Sequence, residues 1–361
     1  MNRLFITLAL VCGSWLVAAQ DMRAQQLTNN QMLQRKDSIF FTTAEARRVG
    51  DQLLLFQRNT GGWPKNVNMV LPLTDAQKDS IIQEKTRLND STIDNKATSM
   101  QMVYLARLYQ QTRDTRYRDA FRKAMTFLLE GQYENGGWPQ FWPKNRDYQV
   151  HITYNDNAIV NVLKIFRDVI KDREPYNNGL VEEEMRQATE KSFDKAIDCI
   201  LATQIIVDGE PTVWCQQHDA QTLLPAKARA YELPSFSTQE SAAITFLLMQ
   251  ISKPDERIKR AINGAMKWFD EHKITGYRLE KCKVDGKKDV CLVSDSTASP
   301  MWARYYDLEE GKPFFCDRDG QPKRSLSEIG YERRTGYSWY NYEPQELYKR
   351  YETWKAKNAE Y

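Results

Sequence analysis

Histidine is nearly missing from this chain: three residues in 361. So few argue against Ser-His-Asp chemistry, and with no Cys-x-x-Cys pair or histidine cluster nothing suggests a zinc site. Net charge is also small, a formal +3. That excludes a nucleic-acid binder working through bulk charge, so an anionic partner would have to be held by local clusters of Arg and Lys. Long apolar runs are missing too. The longest, "LFITLALVCGSWLV" after Arg3, is too short and too soon followed by polar sequence to read as a membrane span. It reads as a secretory signal with Val17 and Ala19 before the cleavage point. Residues 1–19 are therefore expected to be a leader, 20–42 an N-terminal extension and 43–361 one domain. The expected product is an exported monomer, periplasmic or secreted, with no membrane attachment after cleavage. Cys12 lacks a lipobox. Of the other five cysteines, an odd number, Cys282 and Cys291 flank a hairpin signal at Asp285-Gly286, where a disulfide is geometrically possible. Cys199, Cys215 and Cys316 read as buried or unpaired thiols.

What the sequence does have is a repeat. "QRNTGGWPKN" at 57–66 and "QYENGGWPQF" at 132–141 both spell Gln, three variable residues, then Gly-Gly-Trp-Pro, with Trp63 and Trp138 75 positions apart. Helical spacing surrounds them. Met102, Leu105, Ala106 and Tyr109 share one face, and Phe121, Ala124 and Leu128 another, across a short turn at "RDTRY". A second pair buries Ile159, Leu163, Phe166 and Ile170 in its first helix, and Phe193, Ala196, Ile197, Ile200 and Leu201 in its second. A third joins "STQESAAITFLLMQI" to "RIKRAINGAMKWFDEH", with Ser237 and Glu240 spaced as a capping box. Each unit ends in a loop carrying Trp or Tyr. The expectation is a mainly α fold, an (α/α) barrel or toroid of three helical hairpins, with short strands and long loops gathered at one mouth.

Four stretches are too polar for their places. "STIDNKATSM" sets Asp94 and Asn95 before a helix, and "HITYNDNAIV" does the same with Asn155, Asp156 and Asn157. Helix capping would explain either alone. Two oxygen-rich clusters also suit a hard cation such as Ca²⁺. The loop "TVWCQQHDAQTLLPAKARAYELPSFS" is long for a compact domain and carries Trp214, His218, Lys227, Arg229, Tyr231 and Glu232. Its Lys and Arg suit a carboxylate-bearing ligand, Arg through its two-pronged fork, and surface salt bridges are the alternative. "ERRTGYSWYNY" puts Arg333 and Arg334 beside aromatics that could stack on sugars or belong to the core.

Together, "GGWPKN", "TIDNKAT", "GGWPQFWP", "ITYNDNA", "TVWCQQHD", "KARAYELPS" and "ERRTGYSWY" resemble, in order, the motifs of the polysaccharide lyase family 10 pectate lyases, over about Gln57 to Tyr342. The resemblance implies an (α/α) barrel that cleaves polygalacturonate with Ca²⁺, making 43–361 the catalytic domain. It implies Arg229 as Brønsted base, Asp156 and Asp94 as the acids that hold calcium, and Asp94 also as an acid of the catalytic centre associated with substrate. One of Arg333 and Arg334, with Arg334 preferred, would meet a substrate carboxylate. Lys227, His218, Trp138, Trp214 and Asn95 complete the expected contacts to polygalacturonate or pectic oligosaccharides. One departure is Lys96, where a small or uncharged residue is expected.

Such a reaction removes the C5 proton beside the C6 carboxylate and expels O4, leaving a C4–C5 double bond. The implied base is at odds with the ordinary guanidinium, which holds its proton above pH 12; nearby cations and alkaline pH would favour the neutral form. Two other readings are weighed. The Gln-x-x-x-Gly-Gly-Trp spacing also resembles the repeats of terpenoid cyclases, but their clustered-aspartate motif is absent. A glycan-binding protein without catalysis would not need Arg229 and both aspartates, and all are present.

Overall fold

The structure is a computed structural model and describes residues 28–284 and 286–358. The leader read at 1–19, with Cys12, and Asp285 of the hairpin turn lie outside the described residues. The chain divides into two compact units. One takes in the described chain up to Gly131, with Phe141–Lys144 and Ile165–Lys191; the other takes Gln132–Gln140, Asn145–Lys164 and the described chain from Ser192 onward.

The mainly α class is found. The longer helices are α1 (Ala44–Phe56), α2 (Asp75–Glu84), α3 (Ser99–Thr112), α4 (Thr115–Glu130), α5 (Ala158–Ile170), α6 (Glu183–Thr203), α7 (Thr238–Leu248) and α8 (Glu256–Glu271). A short α9 (Tyr331–Gly336) and α10 (Gln345–Asn358) follow. Among the described residues no helix is long and apolar enough to cross a membrane. In the first unit α3 and α4 form the expected hairpin. Arg113 takes a left-handed conformation that ends α3, and Asp114 caps α4 by accepting from Arg116 N. Met102, Leu105, Ala106, Phe121, Ala124 and Leu128 are all buried. The later pair is less complete: Ile170, Phe193 and Leu201 are only half-buried.

The repeat turns out to be a joint between helices. Gln57 Nε2 donates to Gly61 O at 2.8 Å and Ala120 O at 2.9 Å. Gln132 Nε2 donates to Gly136 O and Ser192 O, both at 2.9 Å. A third copy lies in the second unit without the glycines: Gln204 Nε2 donates to Thr212 O at 2.8 Å and Ala261 O at 2.9 Å. Each glutamine thus ties its own loop to a later helix: it satisfies the loop carbonyl and adds a second bond to a carbonyl within that helix. Gly61 and Gly136 sit at φ +99° and +89°, where a Cβ would strike Lys123 O and Lys195 O respectively. The tryptophans are the other half of the joint. Trp63 Nε1 donates to Leu53 O (2.9 Å) near the end of α1, and Trp214 Nε1 to Ile200 O (2.7 Å) near the end of α6. Each adds a second donor to a carbonyl in the last turn of a helix, beside Gln57 N on Leu53 O and the Thr203 hydroxyl on Ile200 O.

Through their backbone, the same tryptophans anchor the polar turns. The Trp63 carbonyl accepts from Thr92 N, that of Trp138 from Thr153 N, and that of Trp214 from Ser237 N, at 3.2, 3.1 and 2.8 Å. Asp94 lies two residues beyond the first anchor, Asp156 three beyond the second, and Glu240 three beyond the third. In the second unit, short antiparallel pairs extend this pattern: Ile152–Thr153 with Gln217–His218, and Phe236–Ser237 with Tyr305–Tyr306.

The region beyond α8 contains a long hairpin, Tyr277–Val284 with Lys287–Ser294. The Cys282–Cys291 disulfide closes it, and the remaining described cysteines, Cys199, Cys215 and Cys316, are free and buried.

Candidate active site

The two polar turns share one backbone conformation. Asn95 and Lys96 have φ of +51° and +63°, and Asp156 and Asn157 have +50° and +61°. Two consecutive left-handed residues outside glycine are costly, about 1–3 kcal/mol each, and mark a constrained turn rather than an ordinary cap. Thr98, the residue that begins α3, makes no side-chain cap bond.

In the first unit Asp94 is 2% exposed and ion-paired to the Lys65 ammonium. Lys65 belongs to "GGWPKN" and also lies 5.3 Å over the Phe141 ring. Asn95 Nδ2 donates to Asn66 Oδ1 at 3.1 Å. Lys96, the departure from the family pattern, is exposed, so Lys65 is the cation that meets the acid.

In the second unit a chain of polar contacts joins Asp156 to Arg229. Asn155 Nδ2 donates to Asp156 Oδ2 at 3.3 Å, and Gln216 Nε2 to Asn155 Oδ1 at 2.8 Å. The Tyr305 hydroxyl donates to Gln216 Oε1 and lies 2.6 Å from the Tyr337 hydroxyl. Tyr337 donates to Glu232 Oε1 at 3.1 Å, and Glu232 takes Arg229 through both oxygens. Burial pushes the Tyr305 and Tyr337 hydroxyls well above their ordinary range, so both stay protonated donors. Burial alone would raise the Glu232 carboxyl, but the Arg229 hydrogen bonds and charge outweigh it and hold Glu232 below the ordinary range. Burial would likewise lower Arg229, yet the Glu232 pair raises it. In this arrangement Arg229 is a firmly held cation.

Arg229 lies 5.0 Å over the Tyr231 ring, and Arg333 lies 4.6 Å from the same ring. Arg333 also bonds Glu332, which pairs with Arg318 at 3.0 Å. Of the two neighbours, Arg333 joins this cluster. The preferred Arg334 instead forms a two-point pair with Asp289 at 2.8 and 2.7 Å. Lys227 is exposed, near Gly320 in the turn that carries Arg318.

Three expected contacts have structural positions instead. His218 is wholly buried; its Nε2 accepts from Cys215 N at 3.1 Å, and its Nδ1 lies 2.9 Å from Leu223 O. Burial lowers its pKa to about 4, so it braces the loop as a neutral ring. Trp138 and Trp214 are 2% and 0% exposed, so neither ring presents a face to a ligand here.

Arg304 and Tyr305 are absent from the sequence expectations, and the signal for them is a charge inside the apolar stretch "MWARYYDL". Arg304 is buried, donates to Glu240 Oε1 at 2.9 Å and lies 3.9 Å from Asp156 Oδ1. Its Nε has no partner. This corrects the capping box expected at Ser237. The Ser237 hydroxyl donates to Glu240 Oε2 and makes no cap bond, because Glu240 is committed to a buried arginine. Arg318, in "CDRDG", is likewise absent from those expectations.

For a hard cation the second unit offers the half-exposed Asp156 carboxylate and the buried Asn157 Oδ1, which has no partner. These oxygens fit calcium, with water and ligand completing the shell. Among the described residues no group of three or more His, Cys, Asp or Glu side chains is gathered for a metal.

Residues 57–348 match the family model for pectic acid lyase. Two solved structures are similar. A family 10 polysaccharide lyase from Cellvibrio cellulosa is 31% identical, with 92% of this chain and 97% of that chain covered and a TM-score of 0.75. A mutant of a family 10 polysaccharide lyase from the same organism, in complex with trigalacturonic acid, is also 31% identical. It covers 94% of this chain and 98% of that one, with a TM-score of 0.74. No curated protein matches the chain.

Proposed function

The chain belongs to the pectic acid lyase family and is a polysaccharide lyase, and from that premise we propose that it cleaves polygalacturonate by calcium-assisted β-elimination with Arg229 as the base. The observation that carries this reading is the pair of Arg229 and Arg333 on the Tyr231 ring, with Arg318 linked to Arg333 through Glu332, joined through Glu232, Tyr337, Tyr305 and Gln216 to the turn of Asp156. A uronate chain brings one carboxylate per sugar, and guanidinium groups bind such groups with matched geometry. The trigalacturonic acid bound to the similar mutant lyase supports the same ligand class.

Calcium, held by Asp156 with the Asn157 oxygen, would supply positive charge for the C6 carboxylate as C5 loses its proton. The protein's part is then to hold and move that proton. Arg229 accepts it from C5 only as the neutral guanidine, so the Glu232 pair works against the reactive form and alkaline pH works for it. Arg318 and Lys227 provide charge where the enolate develops. O4 leaves with a proton from water. In the first unit, Asp94 is the other acid of this reading and carries its own cation, Lys65. Export by the leader at 1–19, and action as a monomer outside the cytoplasm, suit a polymer substrate.

The test is purified protein with polygalacturonate at alkaline pH, with calcium or with a chelator, followed by the ultraviolet absorbance of the C4–C5 double bond. A rise abolished by the chelator, and lowered by about 10²-fold or more in Arg229→Ala, supports the proposal. Reducing ends without that absorbance would mean hydrolysis and would overturn it.

A further inference from the structure

The long hairpin has an inverted burial pattern. Of the sixteen residues in its two strands, only Asp289 is buried, and that residue is charged. Its carboxylate receives both Nε and Nη2 of Arg334, and burial without such a partner would be strongly unfavourable. Arg334 also donates from Nη1 to Ile329 O at 2.7 Å. The Tyr331 hydroxyl donates to Lys288 O at 2.9 Å, and Lys287 lies 5.8 Å over the Tyr331 ring. The hairpin therefore grips α9 at its first residue and at its fourth.

The next residues lead into the cluster around Arg229. Arg333 precedes Arg334 and packs on Tyr231, and its carbonyl accepts from Trp339 Nε1 at 3.0 Å. Tyr337 comes directly after α9 and donates to Glu232. Both groups that hold Arg229, the Tyr231 ring and the Glu232 carboxylate, thus lean on residues in or next to one six-residue helix. A helix this short has little stability of its own, so its seat is set by what grips it.

We infer that Asp289 is a positioning residue: through Arg334 it seats α9, and so fixes the orientation of Arg229. The disulfide secures the seat. Cys282 lies directly opposite Asp289 across the hairpin, and its bond to Cys291, two residues past Asp289, holds the register there. Two-electron reduction by a dithiol, which closes to its own disulfide while Cys282 and Cys291 become thiols, would loosen it. The inference rests on the lyase reading above for its activity assay.

The experiment compares wild type with Asp289→Asn on polygalacturonate at saturating calcium, scoring activity per folded molecule. The expected result is a kcat reduced about tenfold or more with KM changed less than about threefold, since misplacing a reacting group costs rate more than ground-state binding. The exchange of Asp289→Arg with Arg334→Asp should recover part of the loss. Dithiothreitol should lower wild-type kcat, and leave the Cys282→Ser, Cys291→Ser double variant, already slow, unaffected. If Asp289→Asn fails to fold, Arg334→Lys, which keeps the charge but loses the fork, decides instead. Unchanged kcat per folded molecule in the variant that folds overturns the inference. Product absent from wild type itself refutes the lyase reading. The brace is then read by hydrogen exchange at 229–232, which should quicken in the variant while α3 and α4 stay protected; unchanged exchange there would sink it.

Discussion

Arg229 is closed onto Glu232 in a two-point ion pair, with Nε 2.7 Å from Oε2 and Nη2 on Oε1. Glu232 is buried while Arg229 is partly exposed, so the carboxylate is the fixed partner and the guanidinium the one a ligand can reach. A group proposed as a base is thus kept protonated by its neighbour, and that relationship can be tested directly.

Replacing Glu232 by Gln removes the charge that raises Arg229. Since the neutral guanidine is the reactive form, the acid limb of the pH–rate profile should move to lower pH in Glu232→Gln. A profile that keeps its position while KM rises would mean that Arg229 binds the substrate carboxylate as a cation and is not the base.

Asp156→Ala should weaken calcium binding by at least about tenfold, because even groups that only support a metal ligand contribute 10–100-fold. Calorimetric titration of the variant with calcium, without substrate, checks this independently of turnover. Wild-type affinity in the variant would remove Asp156 from the metal site.

The glutamine joints make a stability prediction. Gln57→Ala leaves the carbonyls of Gly61 and Ala120 without their shared donor. The expected loss is about 1–3 kcal/mol in urea unfolding, chiefly the cost of the Gly61 acceptor left unsatisfied, since the Ala120 carbonyl keeps its bond within α4. Glutamine is matched to this place by its reach, so Gln57→Asn should not restore the loss.

His218 predicts a pH dependence. Its pKa falls from 6.5 to about 4 on burial, so below 6.5 the unfolded chain takes up a proton that the folded ring refuses. The stability from this group is therefore complete above pH 6.5 and is lost progressively as pH falls toward 4, by about 3 kcal/mol at most. Urea midpoints of wild type and His218→Gln at pH 7 and pH 5 test it: the variant's midpoint should fall less between the two.

The helical class, the α3–α4 hairpin and the place of Gln-x-x-x-Gly-Gly-Trp in a turn at a helix end were legible in the sequence. Their signals are local: apolar spacing along one helix face, and glycines where the chain needs positive φ. The third joint was not, because Gln204 and Trp214 are ten residues apart and no glycine pair lies between them to announce a turn. The disulfide was legible as a possibility from the turn between its cysteines.

By itself, the sequence determined which residue types stand at each repeat and which acids and arginines were available for chemistry. Tertiary structure alone decided which of them act together. Arg333 and Arg334 are adjacent and chemically identical, yet one packs on Tyr231 and the other closes on Asp289. His218 and Trp214 look like ligand contacts in a polar loop but are consumed by buried backbone groups. Arg304 looks like stray charge but holds Glu240 beside Asp156. The physical reason is common to all of these. Spacing along the chain sets which side of an element a side chain leaves from, while the partner that satisfies its charge or hydrogen bond comes from residues far away in sequence.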